Sequence, residues 1–247
     1  MEKGGFSMKV FAYIGSPRGE SSLGYQFLKL VKDELATLDD SIELNVFRDD
    51  LLNIKEHDGS VIDFNSGQTI YNDDMKYIEE QMLCSDFIIL VSPVYAHNVS
   101  SQMKKFIDRI SYWLHLFRLT GKVGYVVSVA DNNGVNYVND YLTKMMQYLG
   151  IYVLGTLGLQ ANKINNDQNT LSSYSKYLSK KIVASQKLKK IDIPYEQEKL
   201  FINQRNRYLK SNTDSKEKIF WEKNDYLKYD SFEKLFINKC NFVHKIE

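Results

Sequence analysis

Residues 9–23 read KVFAYIGSPRGESSL. The run Lys9–Ile14 is short, apolar and closed by Gly15-Ser16-Pro17, the pattern of a buried strand that ends in a turn. Leu23, Phe27, Val31, Leu35 and Leu38 then recur every three or four residues, the stripe of an amphipathic helix. A strand handed to a helix through glycine, serine and arginine is the opening of an α/β unit. Whether that unit repeats decides the fold class.

It repeats along the first two thirds of the chain. Ile42–Phe47 alternates as a second strand, and residues 48–71 form a polar insert of weak periodicity. Asn72-Asp73-Asp74 is a capping segment for a helix striped by Met75, Ile78, Met82 and Leu83. Phe87–Val91 (FIILV) is apolar on both faces, as in the middle of a parallel sheet. Met103, Phe106, Ile107, Ile110 and Leu114 predict the next helix, and Val123–Val129 the fourth strand. Val138, Leu142, Met145 and Leu149 stripe a further helix, Ile151–Leu159 is the fifth strand, and residues 170–188 predict one more helix. Parallel strands need crossover helices, and these are right-handed. The reading is an α/β fold with a doubly wound five-stranded parallel sheet of order 2-1-3-4-5, whose ligands sit beyond the carboxyl ends of strands 1 and 3.

Composition is that of an ordinary globular protein, 43% hydrophobic and 26% charged, with a net charge of +1 that gives no pull toward nucleic acid or a membrane surface. The charge is uneven: residues 1–162 carry 14 Lys+Arg against 20 Asp+Glu, and residues 163–247 carry 18 against 11. The two parts are complementary, which favours docking of one on the other or on a second subunit. Cys84 and Cys240 are too few for a disulfide framework or a cysteine-rich metal site. No apolar run approaches a membrane span, and residues 1–7 lack a signal-peptide core, so a disordered leader and a cytoplasmic location are expected. A domain over 8–190 and a helical extension over 191–247, rich in Lys, Asn, Tyr and Phe, complete the expected organisation.

Two loops carry the chemistry. In Gly15–Ser22 the following helix start offers unpaired N–H groups, Ser16, Ser21 and Ser22 add hydroxyls, and Arg18 adds a fork-shaped cation suited to phosphate. The plainer alternative is a capped turn with an exposed arginine. Neither G-x-x-x-x-G-K-[ST] nor G-x-G-x-x-G is present, which argues against triphosphatase and dinucleotide-binding loops. In Ser92-Pro93-Val94-Tyr95-Ala96-His97, Pro93 stiffens the exit from the sheet and Tyr95 places an aromatic at the switch point. The alternative there is a Pro-Tyr turn covering the core.

Together, Gly15-Ser16-Pro17-Arg18 with Ser21, and Ser92-Pro93-Val94-Tyr95 with Lys104-x-Phe106-Ile107-Asp108-Arg109, resemble the NADPH-dependent FMN reductase and iron–sulfur flavoprotein group of flavodoxin-like proteins over about residues 8–162. The resemblance implies FMN, with its phosphate at Ser16, Arg18, Ser21, Ser22 and the Leu23 N–H. It places the ring and ribityl chain at Pro93, Val94, Tyr95, Ala96 and His97, and the loop Ala130-Asp131-Asn132-Asn133-Gly134, with Asp131, on the far side. It also implies NADPH or NADH as co-substrate, a small acceptor such as a flavin or quinone, and a homodimer or higher homo-oligomer. Relatives with an iron–sulfur centre carry a cysteine cluster just before the match to Asp73-Asp74-Met75. Residues 48–72 hold no cysteine, which excludes that centre there.

No catalytic acid or base and no metal ligand is expected, since hydride transfer is the flavin's own chemistry. His57, His115 and His244 lack metal-ligand spacing, and Cys84 reads as a buried small hydrophobe. Trp113, Leu114 and Phe117 read as core or subunit contact. In the extension, Lys187, Lys189, Lys190, Arg205, Arg207 and Lys210 either meet the 2′-phosphate of NADPH or form a solvated face. Phe220, Trp221, Tyr226, Tyr229, Phe232, Leu235 and Phe236 are too many aromatic and apolar groups to leave in water and are expected to pack on the main domain. The leading function is an FMN-dependent NAD(P)H oxidoreductase. The alternatives are an electron-transfer flavoprotein reduced by a protein partner and a non-catalytic association module.

Overall fold

Among the described residues six strands order the chain: β1 (Lys9–Ile14), β2 (Glu43–Arg48), β3 (Phe87–Tyr95), β4 (Asn98–Val99), β5 (Val123–Ala130) and β6 (Tyr152–Gln160). A computed structural model describes residues 7–188 and 190–242 of the chain. Five strands run parallel in the order β2-β1-β3-β5-β6, which is 2-1-3-4-5 once the short β4 is set aside. The register at the centre pairs Val10 with Phe87 and Phe87 with Val123.

The helices are α1 (Leu23–Leu38), α2 (Ile62–Ser66), α3 (Met75–Cys84), α4 (Ser101–Arg109), α5 (Val135–Tyr148), α6 (Ala161–Asn166), α7 (Gln168–Ser185), α8 (Tyr195–Lys210), α9 (Lys216–Lys223) and α10 (Phe232–Lys239). Period-2 alternation in β1 sorts the core. Val10, Ala12 and Ile14 face α1 and α7, in one cluster with Phe27, Val31, Leu178 and Ile182. Phe11 and Tyr13 face α3, α4 and α5, in a second cluster with Ile78, Phe106 and Leu142.

α4 stops at Arg109, short of the predicted stripe to Leu114. The Ser111 hydroxyl donates to the Asp108 carbonyl (2.7 Å), a 3-10 turn spans Ser111–Trp113, and Tyr112 and Trp113 turn into the core. Tyr112 also donates its hydroxyl to buried Glu79 (2.7 Å). These buried contacts outweigh another turn of helix. Arg109 itself is buried and knots the polar insert: it donates to Asp73, to the Lys55 carbonyl (2.9 Å) and to Thr69 (2.8 Å), beneath the Tyr71 ring.

Phe117, Phe201, Trp221 and Phe232 stack edge and face at centroid separations of 5.2–5.7 Å, so the extension's aromatic groups join the α1/α7 core. Trp113 and Phe117 are core residues. Cys84 corrects an expectation: it is exposed, because it closes α3 on the outer side of the helix stripe, whereas Cys240 is buried. The expected leader lies outside the described residues apart from Ser7, and His244 and Lys189 lie outside them too.

Candidate functional site

The carboxyl ends of β1, β3 and β5 open on a cleft with a cavity volume of about 290 Å³. It sits where α1 and α4 leave the sheet on opposite faces, the switch point of a doubly wound sheet. The volume is at the low end for ligand pockets, roughly 300–1,000 Å³. A ligand larger than that leaves part of itself in the open.

One end is built to donate. Ser22 caps α1, accepting the Tyr25 N–H (3.2 Å), and its hydroxyl donates to the Gly19 carbonyl (2.8 Å). Helix geometry leaves the Leu23 and Gly24 N–H groups without an intrahelical acceptor. The Ser16 oxygen accepts the Arg18 N–H (3.3 Å), which leaves its own proton free to donate. Arg18, Ser16, Ser22, Leu23 and Gly24 all line the cleft. Among the described residues Arg18 has no ion-pair partner. Ser21 does not line the cleft; its hydroxyl donates to the Arg18 carbonyl (2.7 Å) and shapes the turn.

The other end is a set of walls. Pro93, Val94 and Tyr95 line one side, Val129, Ala130 and Asp131 the other, and Ala161 closes the mouth. Tyr95 is 45% exposed, so the rim is open to solvent. The segment after Tyr95 is a two-residue hairpin: Tyr95 pairs with Asn98, and Ala96 and His97 take left-handed φ values of 48° and 61°. Ala96 and His97 are therefore at the hairpin tip and do not line the cleft. The His97 ring stacks on Tyr137 (5.3 Å, 14°) instead. Gly134 (φ +84°) presses the neighbouring loop against this hairpin, since a Cβ there would meet Val94 Cγ1 at 2.8 Å.

Buried contacts hold the two loops together. The Ser100 hydroxyl donates to the Gly15 carbonyl, the Gly15 N–H donates to the Val91 carbonyl (3.0 Å), and the Ser100 N–H donates to Ser92 Oγ (3.2 Å). Sequence reasoning missed Ile14, Gly24, Val91, Val129 and Ala161 as lining residues. They are small or aliphatic and carry no chemical signal, though their places at strand ends and the helix start were legible.

The extension lies at the opposite edge of the sheet. Trp221 Nε1 donates to the His115 carbonyl (2.9 Å), Tyr226 to the Phe117 carbonyl (3.2 Å), Gln197 to the Ile151 carbonyl (3.0 Å), and Asn241 to Asp86 (3.3 Å). Those acceptors precede β5, β6 and β3, at the amino ends of the strands. Strands of 6 to 9 residues separate that edge from the cleft, at about 3.3 Å per residue. Among the described residues, none of the extension's basic groups lines the cleft, Arg205 and Lys210 included.

The residues fit FMN. Donors and a cation sit at one end for a phosphate, apolar and aromatic walls at the other for a ring, and the cleft is short enough to leave a ring edge in solvent. No group of three or more potential metal ligands occurs among the described residues, and no helix there is long and apolar enough to cross a membrane.

Comparisons agree with this geometry. The family model described as NADPH-dependent FMN reductase matches residues 8–165. An iron-sulfur flavoprotein of Archaeoglobus fulgidus is 31% identical over 150 residues, covering 60% of this chain and 66% of that protein, just under two thirds of its length. The cysteines that such a cluster needs are missing from residues 48–72 here. Among solved structures, a flavone reductase superposes with TM-score 0.58 at 12% identity, covering 72% of this chain and 62% of that one. RosB, solved with 8-demethyl-8-formylriboflavin-5'-phosphate, superposes with TM-score 0.54 at 15% identity, covering 84% and 90%. These likenesses show the fold. With a family match over more than half its length, the chain belongs to the NADPH-dependent FMN reductase family and has a flavodoxin-like fold.

Proposed function

We propose that the protein takes electrons from NADPH or NADH and passes them through bound FMN to a small flat acceptor such as a flavin or quinone. When bound, FMN supplies the hydride and single-electron chemistry. The observation that carries the reading is the polarity of the cleft: Arg18, Ser16 and the α1 N–H groups at one end, Pro93, Val94 and half-exposed Tyr95 at the other.

In this arrangement Arg18 and the Leu23 and Gly24 N–H groups hold the phosphate, and Ser16 donates a further hydrogen bond. Val94 and Tyr95 wall one side of the ring, and Ala130 and Asp131 the other. The hairpin tip at Ala96 and His97 fixes Tyr95 by backbone geometry rather than by ring contact. The side chains bind and orient the flavin while the open rim admits nicotinamide and acceptor in turn.

Anaerobic mixing of the FMN-loaded protein with NADPH, and separately with NADH, tests this. Bleaching of the flavin absorbance followed by its return on adding a quinone is the expected result. A flavin that binds but stays oxidised with both nucleotides would overturn the nicotinamide step and leave reduction by a protein partner.

A further inference from the structure

Beside the phosphate-binding turn, outside the cleft lining, stands an ion cluster centred on Arg48. This residue ends β2 and its side chain is only 10% exposed. Its Nε and Nη2 donate to the two carboxylate oxygens of Asp50 (3.1 and 2.8 Å), a two-pronged pairing that fixes the guanidinium plane. Its Nη1 donates to Glu20 (2.9 Å). Its Cζ lies 4.9 Å from the centroid of the Tyr25 ring.

One side chain thus spans three segments. Glu20 belongs to the 3-10 turn Gly19–Ser21, Tyr25 to the first turn of α1, and Asp50 to the chain just after β2. Asp50 presses on the turn itself, since a Cβ on Gly19 would lie 2.7 Å from its Oδ2. The base of the brace is firm: buried Asp49 accepts the Tyr13 hydroxyl (2.9 Å) and pairs with Lys105 (3.0 Å).

Charge gives the cluster a second consequence. Glu20 and Asp50 bring two carboxylates to a turn whose task is to receive a phosphate dianion. Left unpaired they would repel it, and Arg48 engages both.

We propose that Arg48 is a positioning residue for the phosphate end of the cleft. It holds the turn and the first turn of α1 in one arrangement, so that Arg18 and the α1 N–H groups converge, and by pairing with both carboxylates it offsets one of the two negative charges beside them. The inference rests on the reading of the cleft as an FMN site.

The test compares FMN with riboflavin, which lacks the phosphate, by quenching of flavin fluorescence on titration with the full-length protein. In Arg48→Met, FMN affinity is expected to fall about 10- to 100-fold while riboflavin changes less than about threefold. The preference for FMN collapses. Where R48M fails to fold, the double variant R48M/D50N, which removes the more buried of the two carboxylates left unpaired, is expected to lose at least about fivefold of the preference. An unchanged FMN-to-riboflavin ratio, or equal loss of both flavins, overturns the role of Arg48. A wild-type protein that does not prefer FMN over riboflavin overturns the phosphate reading itself, a result distinct from either.

Discussion

One methyl group at residue 24 sets two effects against each other. Gly24 is the second residue of α1, and a Cβ there would sit 2.8 Å from Val91 Cγ1 and 3.6 Å from Val129 Cγ2. Carbon atoms pack best at roughly 3.5–4.0 Å, so alanine demands a shift of about 1 Å. Val91 is 1% exposed in the central strand, and branching at Cβ restricts its χ1. The helix start must move instead. Replacing glycine by alanine inside a helix gains up to about 1 kcal/mol, and overpacking costs about 1–3 kcal/mol, so the clash wins. Gly24→Ala should lose on the order of 1 kcal/mol in urea unfolding.

The effect on binding should be larger than the effect on stability. A displaced first turn misdirects the Leu23 and Gly24 N–H groups, and a hydrogen bond to a charged group is worth about 1.5–3 kcal/mol. FMN affinity should fall about tenfold or more in a fluorescence titration, with riboflavin nearly unaffected. Adding Val91→Ala makes room: the double variant should regain most FMN affinity while losing further stability from the core. If G24A is more stable than wild type and binds FMN within twofold, the reasoning about this contact is wrong.

Arg109→Met should cost about 3 kcal/mol or more, since it strands the Asp73 carboxylate with no solvent exposure. Burial works against that carboxylate's charge, yet Arg109 and the Lys55 and Met75 N–H groups hold its pKa below the ordinary value. The double variant R109M/D73N should be more stable than R109M in urea, and an equal or lower midpoint counts against the buried pair. Burial also pushes the Glu79 carboxyl up to about 7, against the lowering influence of the Tyr112 hydroxyl, Arg118 and Arg109. A carboxyl whose folded pKa exceeds its unfolded value binds its proton more tightly in the native state, so stability should fall as pH rises from about 4.5 to about 7. Glu79→Gln should flatten that slope in thermal melts taken across pH 5–8, and a slope unchanged by the substitution would contradict it.

The candidate site was legible in part because its chemistry is local. Ser16, Arg18 and Ser22 precede a helix start, and Pro93 and Tyr95 follow a strand apolar on both faces, so type and spacing alone brought them to one edge of a parallel sheet. Ser21, Ala96 and His97 carried the same polarity or position without reaching the cleft, because a side chain's direction depends on turn geometry that composition does not encode. Arg48 gave no signal at all. Its two carboxylate partners lie 28 residues before it and two after, and only the folded β2 edge brings the three together.

By itself the sequence determined the five strands and their alternation with helices, because burial on one or both faces writes its period directly into the chain, and the rules for right-handed crossovers then gave the order and the end of the sheet where a ligand would bind. Only the tertiary structure decided where α4 stops, which edge the aromatic extension closes, and which glycines the loops cannot do without. Those outcomes turn on contacts between segments far apart in the chain. Periodicity reports that a residue leaves water, but not what it meets there.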